Sequence, residues 1–242
     1  MDMIKRLFVI ALGALLVVSP AAAEDLRTLM QSRTKMLSQQ QLQTIVVYLK
    51  QNPQMVDSEI RRLYGSGTNT PLNEALSLGD VGLVSVLLEY GADPNKASGR
   101  TEARPLQWAL NDTLDPSKIA DSVALLIAKG ANPNLTDKRH STALDTWAAR
   151  RSWCETPSYE KIGVVLFDAG AQIEGDSKAS GTPLMIAVVN SNPVATKMLL
   201  EKGASPDREA LLGTARGLAK KEASRNTARP EARTVLSLIE QH

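Results

Sequence analysis

One phrase occurs four times in this chain, and nothing else in the sequence constrains the fold as strongly. Leu87-Leu88-Glu89-Tyr90-Gly91-Ala92-Asp93-Pro94-Asn95 returns at 126–134, 166–174 and 199–207, at intervals of 33 to 40 residues. Each copy begins on an apolar run at helical spacing and then meets Gly91, Gly130, Gly170 or Gly203. Glycine just past a helix end takes the left-handed conformation that ties off the last carbonyls, where a Cβ costs about 1 kcal/mol. Pro94, Pro133 and Pro206 then forbid the helix from resuming. A helix-ending unit repeated at this period cannot bury its apolar face alone, so the copies stack into a solenoid.

The starts of the units agree with their stops. Thr70-Pro71-Leu72-Asn73-Glu74-Ala75 and Thr182-Pro183-Leu184-Met185-Ile186-Ala187 place an N-cap before proline at the first helical position. Arg104 to Ala109 and Thr142 to Trp147 are degraded copies of the same start.

These units resemble ankyrin repeats, whose signature is Thr-Pro-Leu-His-x-Ala. The resemblance implies an all-α solenoid of stacked helix pairs with short β-hairpin or turn fingers. It covers four repeats over 69–207, with a helical N-terminal capping region at 24–68 and a degenerate repeat or cap at 208–242. Within the N-terminal region, Leu42, Ile45, Val46, Tyr48 and Leu49 fall at helical spacing in a segment, 41–64, read as a capping helix pair. The His of the signature is replaced by Asn73, Gln107, Asp145 and Met185. Each replacement removes the hydroxyl–imidazole bond between turn and helix, so these repeats are expected to be less stable than consensus ones.

Two repeats are longer than the others. From motif start to terminal glycine the first and fourth span 20 residues, the second 25 and the third 27. The extra residues fall near 111–116 and 150–157, and solenoid insertions map to loops that often bind. The second insertion carries Arg150, Arg151 and Trp153, a composition suited to a protein-contact knob; the alternative is that Trp153 folds back over the enlarged gap. Trp108 takes a motif position that is usually core. Trp147 stands where a small Ala belongs, so the third repeat must splay or shift around it. The fingers at 96–102, 135–141 and 174–181, with a shorter one after Asp207, are the second candidate surface. Arg100, Arg104, Lys138, Arg139 and His140 give the first two a basic cast, and together with Arg150, Arg151 and Trp153 they are the predicted protein-binding residues.

Residues 1–23 read as a cleavable signal peptide: Lys5 and Arg6, an apolar stretch from Leu7 to Val18, then Ala21-Ala22-Ala23. That stretch is short of the ~20 residues a bilayer span requires. No stable membrane insertion is therefore expected after cleavage. With 28 basic and 26 acidic residues the chain lacks the footprint of a nucleic-acid binder. Its single Cys154 excludes an internal disulfide, leaving packing to hold the fold.

Chemistry has little to work with. His140 and His242 lack metal-ligand spacing, Gly65-Ser66-Gly67 lacks the Lys that follows in a phosphate loop, and no paired carboxylates stand out. Neither catalysis, metal nor cofactor is expected. The resemblance and the leader together imply a periplasmic protein of a Gram-negative bacterium that binds or inhibits another envelope protein, including as an immunity protein against a delivered toxin. The alternatives are an accessory factor for a periplasmic enzyme, such as a catalase or oxidative-stress system, and a secreted host-directed effector.

Overall fold

The computed structural model describes residues 22–31, 37–63, 67–110, 114–152, 154–225 and 229–242. The expected signal peptide lies almost wholly outside these residues, as do 111–113 of the first insertion and Trp153 of the second.

The described residues form twelve α-helices and one small hairpin. Helices α1 (Ala22–Met30) and α2 (Gln39–Gln51) open the stack, followed by a 3-10 turn at Pro53–Met55. Strands β1 (Ile60–Arg61) and β2 (Thr68–Asn69) pair antiparallel, Ile60 opposite Asn69. Four helix pairs come next: α3 (Pro71–Leu78) with α4 (Val81–Glu89), α5 (Pro105–Ala109) with α6 (Pro116–Ala128), α7 (Ala143–Ala148) with α8 (Pro157–Asp168), and α9 (Pro183–Val189) with α10 (Pro193–Glu201). Helices α11 (Ala215–Ala223) and α12 (Pro230–Glu240) pack on each other and on the fourth pair. The N-terminal pair is thus α1 with α2. Within the segment read as a helix pair, residues 53–63 form the 3-10 turn and the first strand of the hairpin instead, because Asn52-Pro53 ends α2; Tyr64 lies outside the described residues.

Each pair is built by the same local physics. Thr70, Thr142 and Thr182 accept through their side chains from the N–H groups of Asn73, Asp145 and Met185. At the other end Gly91, Gly130, Gly170 and Gly203 adopt φ of +90°, +90°, +81° and +89°. Their N–H groups bond to Leu88, Ile127, Phe167 and Leu200 carbonyls, and the following alanines bond one residue further back. The invariant Gly-Ala of the recurring phrase is this termination motif.

The core is a continuous apolar seam along the stack. Leu72, Leu106, Leu144 and Leu184 from the first helices meet Leu87, Leu126, Leu166 and Leu199 from the second, all at most 2% exposed. Repetition along the long axis lets each pair bury its face against the next.

The helix pairs of the two long repeats hold 18 residues each, against 17 and 16 in the first and fourth, so few of the extra residues are helical. Helices α6 and α8 run to 13 and 12 residues against 9 in α4 and α10, while α5 and α7 are only 5 and 6. Asp115 and Thr156 cap the lengthened helices, with Pro116 and Pro157 at their first positions. Capping chemistry at the end of each insertion therefore lengthens the second helix by about a turn while the first helix shortens, and most of the insertion stays between the two helices.

Trp147 is accommodated without opening the repeat. It is fully buried, stacked on Tyr159 with ring centroids 4.7 Å apart and edge-on to Phe167 at 5.8 Å. The space comes from Gly163 of α8, where a Cβ would lie 2.6 Å from the indole. Trp147 Nε1 donates to Tyr159 O at 3.1 Å, and the Tyr159 hydroxyl donates to Trp147 O at 2.9 Å.

Candidate protein-binding groove

A concave surface arises where the fingers overhang the first helices. Successive fingers are joined by hydrogen bonds across the stack: Lys138 N to Thr101 O (3.0 Å), His140 Nδ1 with Asp176 Oδ2 (3.1 Å), and Leu212 N to Ser180 O (3.2 Å). Behind them runs a ladder from the last residue of the recurring phrase. Asn95 donates to Gly130 O at 3.0 Å and accepts from Asn132 N at 2.7 Å. Asn134 does the same with Gly170 O at 2.9 Å and Gln172 N at 2.8 Å. Glu174 accepts from Ser205 N, and Asp57 accepts from Asp93 N. Sequence reasoning passed over these residues, although their recurrence at one motif position was the signal available.

The signature-His substitutions keep this bonding in other forms. Asn73 Nδ2 donates to Ser98 Oγ of the next finger at 2.7 Å, and Ser98 in turn donates to Asn69 Oδ1. Gln107 Oε1 accepts from Arg104 N while its Nε2 donates to Ser141 O. Asp145 Oδ2 accepts from both the N–H and the hydroxyl of Thr142. Met185 is buried among apolar groups. At three of the four positions the hydrogen bond expected to be missing is replaced.

The groove floor is the fifth position of each motif: Glu74, Trp108, Thr146, Ile186 and Leu218. Glu74 is buried under Arg62, and the other four are half-buried. Trp108 is therefore half-buried, packed against the core from its groove side. Its indole lies against finger residue Gly99 and beneath the Arg62 guanidinium, 5.3 Å from the ring centroid. Trp108 Nε1 has no hydrogen-bond partner among the described residues.

The residues singled out from sequence have different surroundings. Arg100 and Arg139 are exposed at the first two finger tips. Lys138 pairs with Glu102 at 3.0 Å on the surface. Arg104 is bound internally, Nε to Thr136 O and Nη1 to Asn95 O. His140 adopts φ +61° and contacts Asp176. The Lys178 N–H, followed by the His140 ring, holds the Asp176 carboxyl below its ordinary range. In the inserted segment, Arg150 O accepts from Asn192 Nδ2 at 2.7 Å and Arg151 pairs with Glu231 of α12 at 3.0 Å. The stack thus engages the Arg150 carbonyl and the Arg151 side chain in its own contacts across three repeats.

At the far end, a groove of about 220 Å³ lies between the third and fourth fingers, walled by Glu174, Asp176, Arg208, Glu209 and Leu211. Leu211 is 86% exposed and Leu212 49%, the most open large apolar pair among the described residues. Cys154 is buried, and desolvation pushes its thiol above the ordinary range, so it stays protonated at neutral pH. Among the described residues no His, Cys, Asp and Glu group is arranged to hold a metal, and no helix is long and apolar enough to cross a membrane.

Stacked helix pairs, glycine-terminated outer helices and linked fingers define a solenoid of the ankyrin class. The ankyrin-repeat family profile matches residues 67–96 and 181–210. The chain is 34% identical over 112 residues to cyclin-dependent kinase 4 inhibitor B of Rattus norvegicus, covering 46% of this chain and 76% of that protein. It is also 30% identical over 141 residues to phosphocholine transferase AnkX of Legionella pneumophila and 32% identical over 151 residues to the ZDHHC13 protein of Danio rerio. Those matches take in 57% and 62% of this chain but only 14% and 22% of the two larger relatives. The chain belongs to the ankyrin-repeat family, and its repeats form a protein-binding module.

Proposed function

We propose that the chain is exported to the bacterial envelope and acts there by binding, and so blocking, another protein. The observation that carries this reading is the groove itself. Its fingers are tied to one another and to the ladder behind them, so half-buried Trp108 and Ile186 are presented on a preorganised floor. Little ordering entropy is then lost on docking. A relative matched over 76% of its own length is named as a cyclin-dependent kinase inhibitor, which supports the blocking reading. We propose no catalytic role for this chain, in keeping with a protonated, buried Cys154. Export rests on the leader pattern at 1–23.

The test is affinity capture from envelope extract with the tagged chain, a Trp108→Ala variant and an Arg151→Ala variant. One stoichiometric partner, lost with Trp108→Ala and retained with Arg151→Ala, is the expected result. Absence of any stoichiometric partner rejects the binding reading, and accumulation of the native protein in the cytoplasmic fraction rejects export. Should the captured partner be an enzyme whose activity rises in the complex, the chain is an accessory factor, and inhibition is rejected.

A further inference from the structure

The charge along the groove changes sign. Arg61 and Arg62 lie at its N-terminal hairpin and Arg100 and Arg139 at the first two finger tips, whereas the last two fingers carry Glu174, Asp176 and Glu209 against Lys178 and Arg208, with Arg208 3.6 Å from Glu174. The acidic groups near the basic end are already engaged. Glu74 accepts from Leu63 N and Asn69 and lies 3.6 Å from Arg62, Glu102 pairs with Lys138, and Asp137 Oδ1 accepts from the N–H groups of Arg139 and Ser141. Arg100 and Arg139 are exposed and have no ion-pair partner among the described residues. What remains uncompensated over the first two fingers is positive charge.

Trp108 adds a second recognition element at the same place. A guanidinium held over an indole by its face keeps in-plane N–H donors for a carboxylate, and the pairing costs little solvation because guanidinium is weakly hydrated. Arg62 sits over Trp108 in this way and is 30% exposed.

We propose that the first two fingers and the Arg62–Trp108 platform dock an extended acidic segment of the partner protein. Its carboxylates meet Arg100 and Arg139, and its stem lies against the Arg62–Trp108 platform. The third and fourth fingers, each with one more carboxylate than cation, favour the same segment less and so set its position along the groove. This rests on the reading that the chain is a protein-binding module.

The experiment titrates the full chain into a labelled short poly-glutamate peptide by fluorescence anisotropy, with poly-lysine and oligothymidylate as parallel probes. Poly-glutamate is expected to bind, more weakly as salt is raised. Arg100→Glu/Arg139→Glu should weaken it about ten-fold or more, and Trp108→Ala should weaken it at unchanged helicity. Lys197→Glu, on the opposite, outer helix α10, should leave it unaltered. Failure of poly-glutamate to bind, equal binding of poly-lysine or oligothymidylate, or an unaffected double variant each overturns the proposal. Capture from envelope extract separates the two readings: a partner retained by Arg100→Glu/Arg139→Glu rejects the acidic segment alone, whereas no partner for the unmodified chain rejects the binding module.

Discussion

The side-chain amide of Asn192 donates to the Tyr159 hydroxyl oxygen at 2.6 Å, joining the N-cap of α10 to the middle of the preceding repeat. The same amide reaches Arg150 O, and Asn192 Oδ1 caps Ala195 N. One buried side chain thus closes the helix start, the inserted segment and the Trp147–Tyr159 stack. Asn192→Ala leaves several buried groups unsatisfied, at ~1–3 kcal/mol for each group that cannot rehydrate. A loss of about 2–4 kcal/mol in urea unfolding is expected.

Gly163 provides a matched hole for Trp147. An alanine Cβ there would stand 2.6 Å from the indole and 2.9 Å from Met198 Cε, inside the contact limit. Despite its better helix propensity, Gly163→Ala should destabilise the chain by about 1–3 kcal/mol. Loss of the near-ultraviolet signal of the stacked rings checks that the damage is local.

Asp145 gives stability a pH slope. Burial raises its folded-state pKa above the ordinary 3.8, with Asp137 and Asp176 adding to the effect and the Thr142 bonds opposing it. Its contribution is therefore fully present below about 3.8 and is lost as pH rises through the folded value. Asn at this position keeps the Thr142 cap and gains an N–H, as Gln107 uses toward Ser141. Asp145→Asn should unfold at higher urea than the parent at neutral pH, the gap closing toward acid. A gap that does not change with pH would falsify this account.

The ladder predicts a graded weakening. Asn134→Ala removes one donor and one acceptor joining the second copy of the recurring phrase to the third, and about 1–2 kcal/mol should be lost. Hydrogen exchange should accelerate first at Gln172 N, whose bond to Asn134 Oδ1 is gone.

Much of this architecture is legible in the chain because its signals are local. Threonine caps, prolines at first helical positions and positive-φ glycines act within a few residues, so helix ends can be read without knowing what they pack against. The insertions were harder. Their own capping residues, Asp115 and Thr156, are visible in sequence, yet whether Pro116 and Pro157 open a helix or interrupt a loop depends on whether the added turn finds a neighbouring repeat to cover it.

The candidate site was legible only in part. A basic cast at Arg100 and Arg139 survives as exposed charge, since finger tips have no neighbour to neutralise them. Arg104 and His140 are drawn into bonds with Thr136 and Asp176, and Arg151 into a pair with Glu231, eighty positions away in the chain. Trp108 stands half-buried in the groove floor because the fifth motif position faces the fingers, as it does at Thr146, Ile186 and Leu218.

By itself, the sequence determined the period, the helix termini and the class of the fold, all consequences of backbone preferences at individual residues. The tertiary structure decided which tryptophan met which glycine, which arginines were left unpaired and where the aromatic platform faced. Those outcomes depend on contacts between residues far apart in the chain, whose partners are set only when the helix pairs stack.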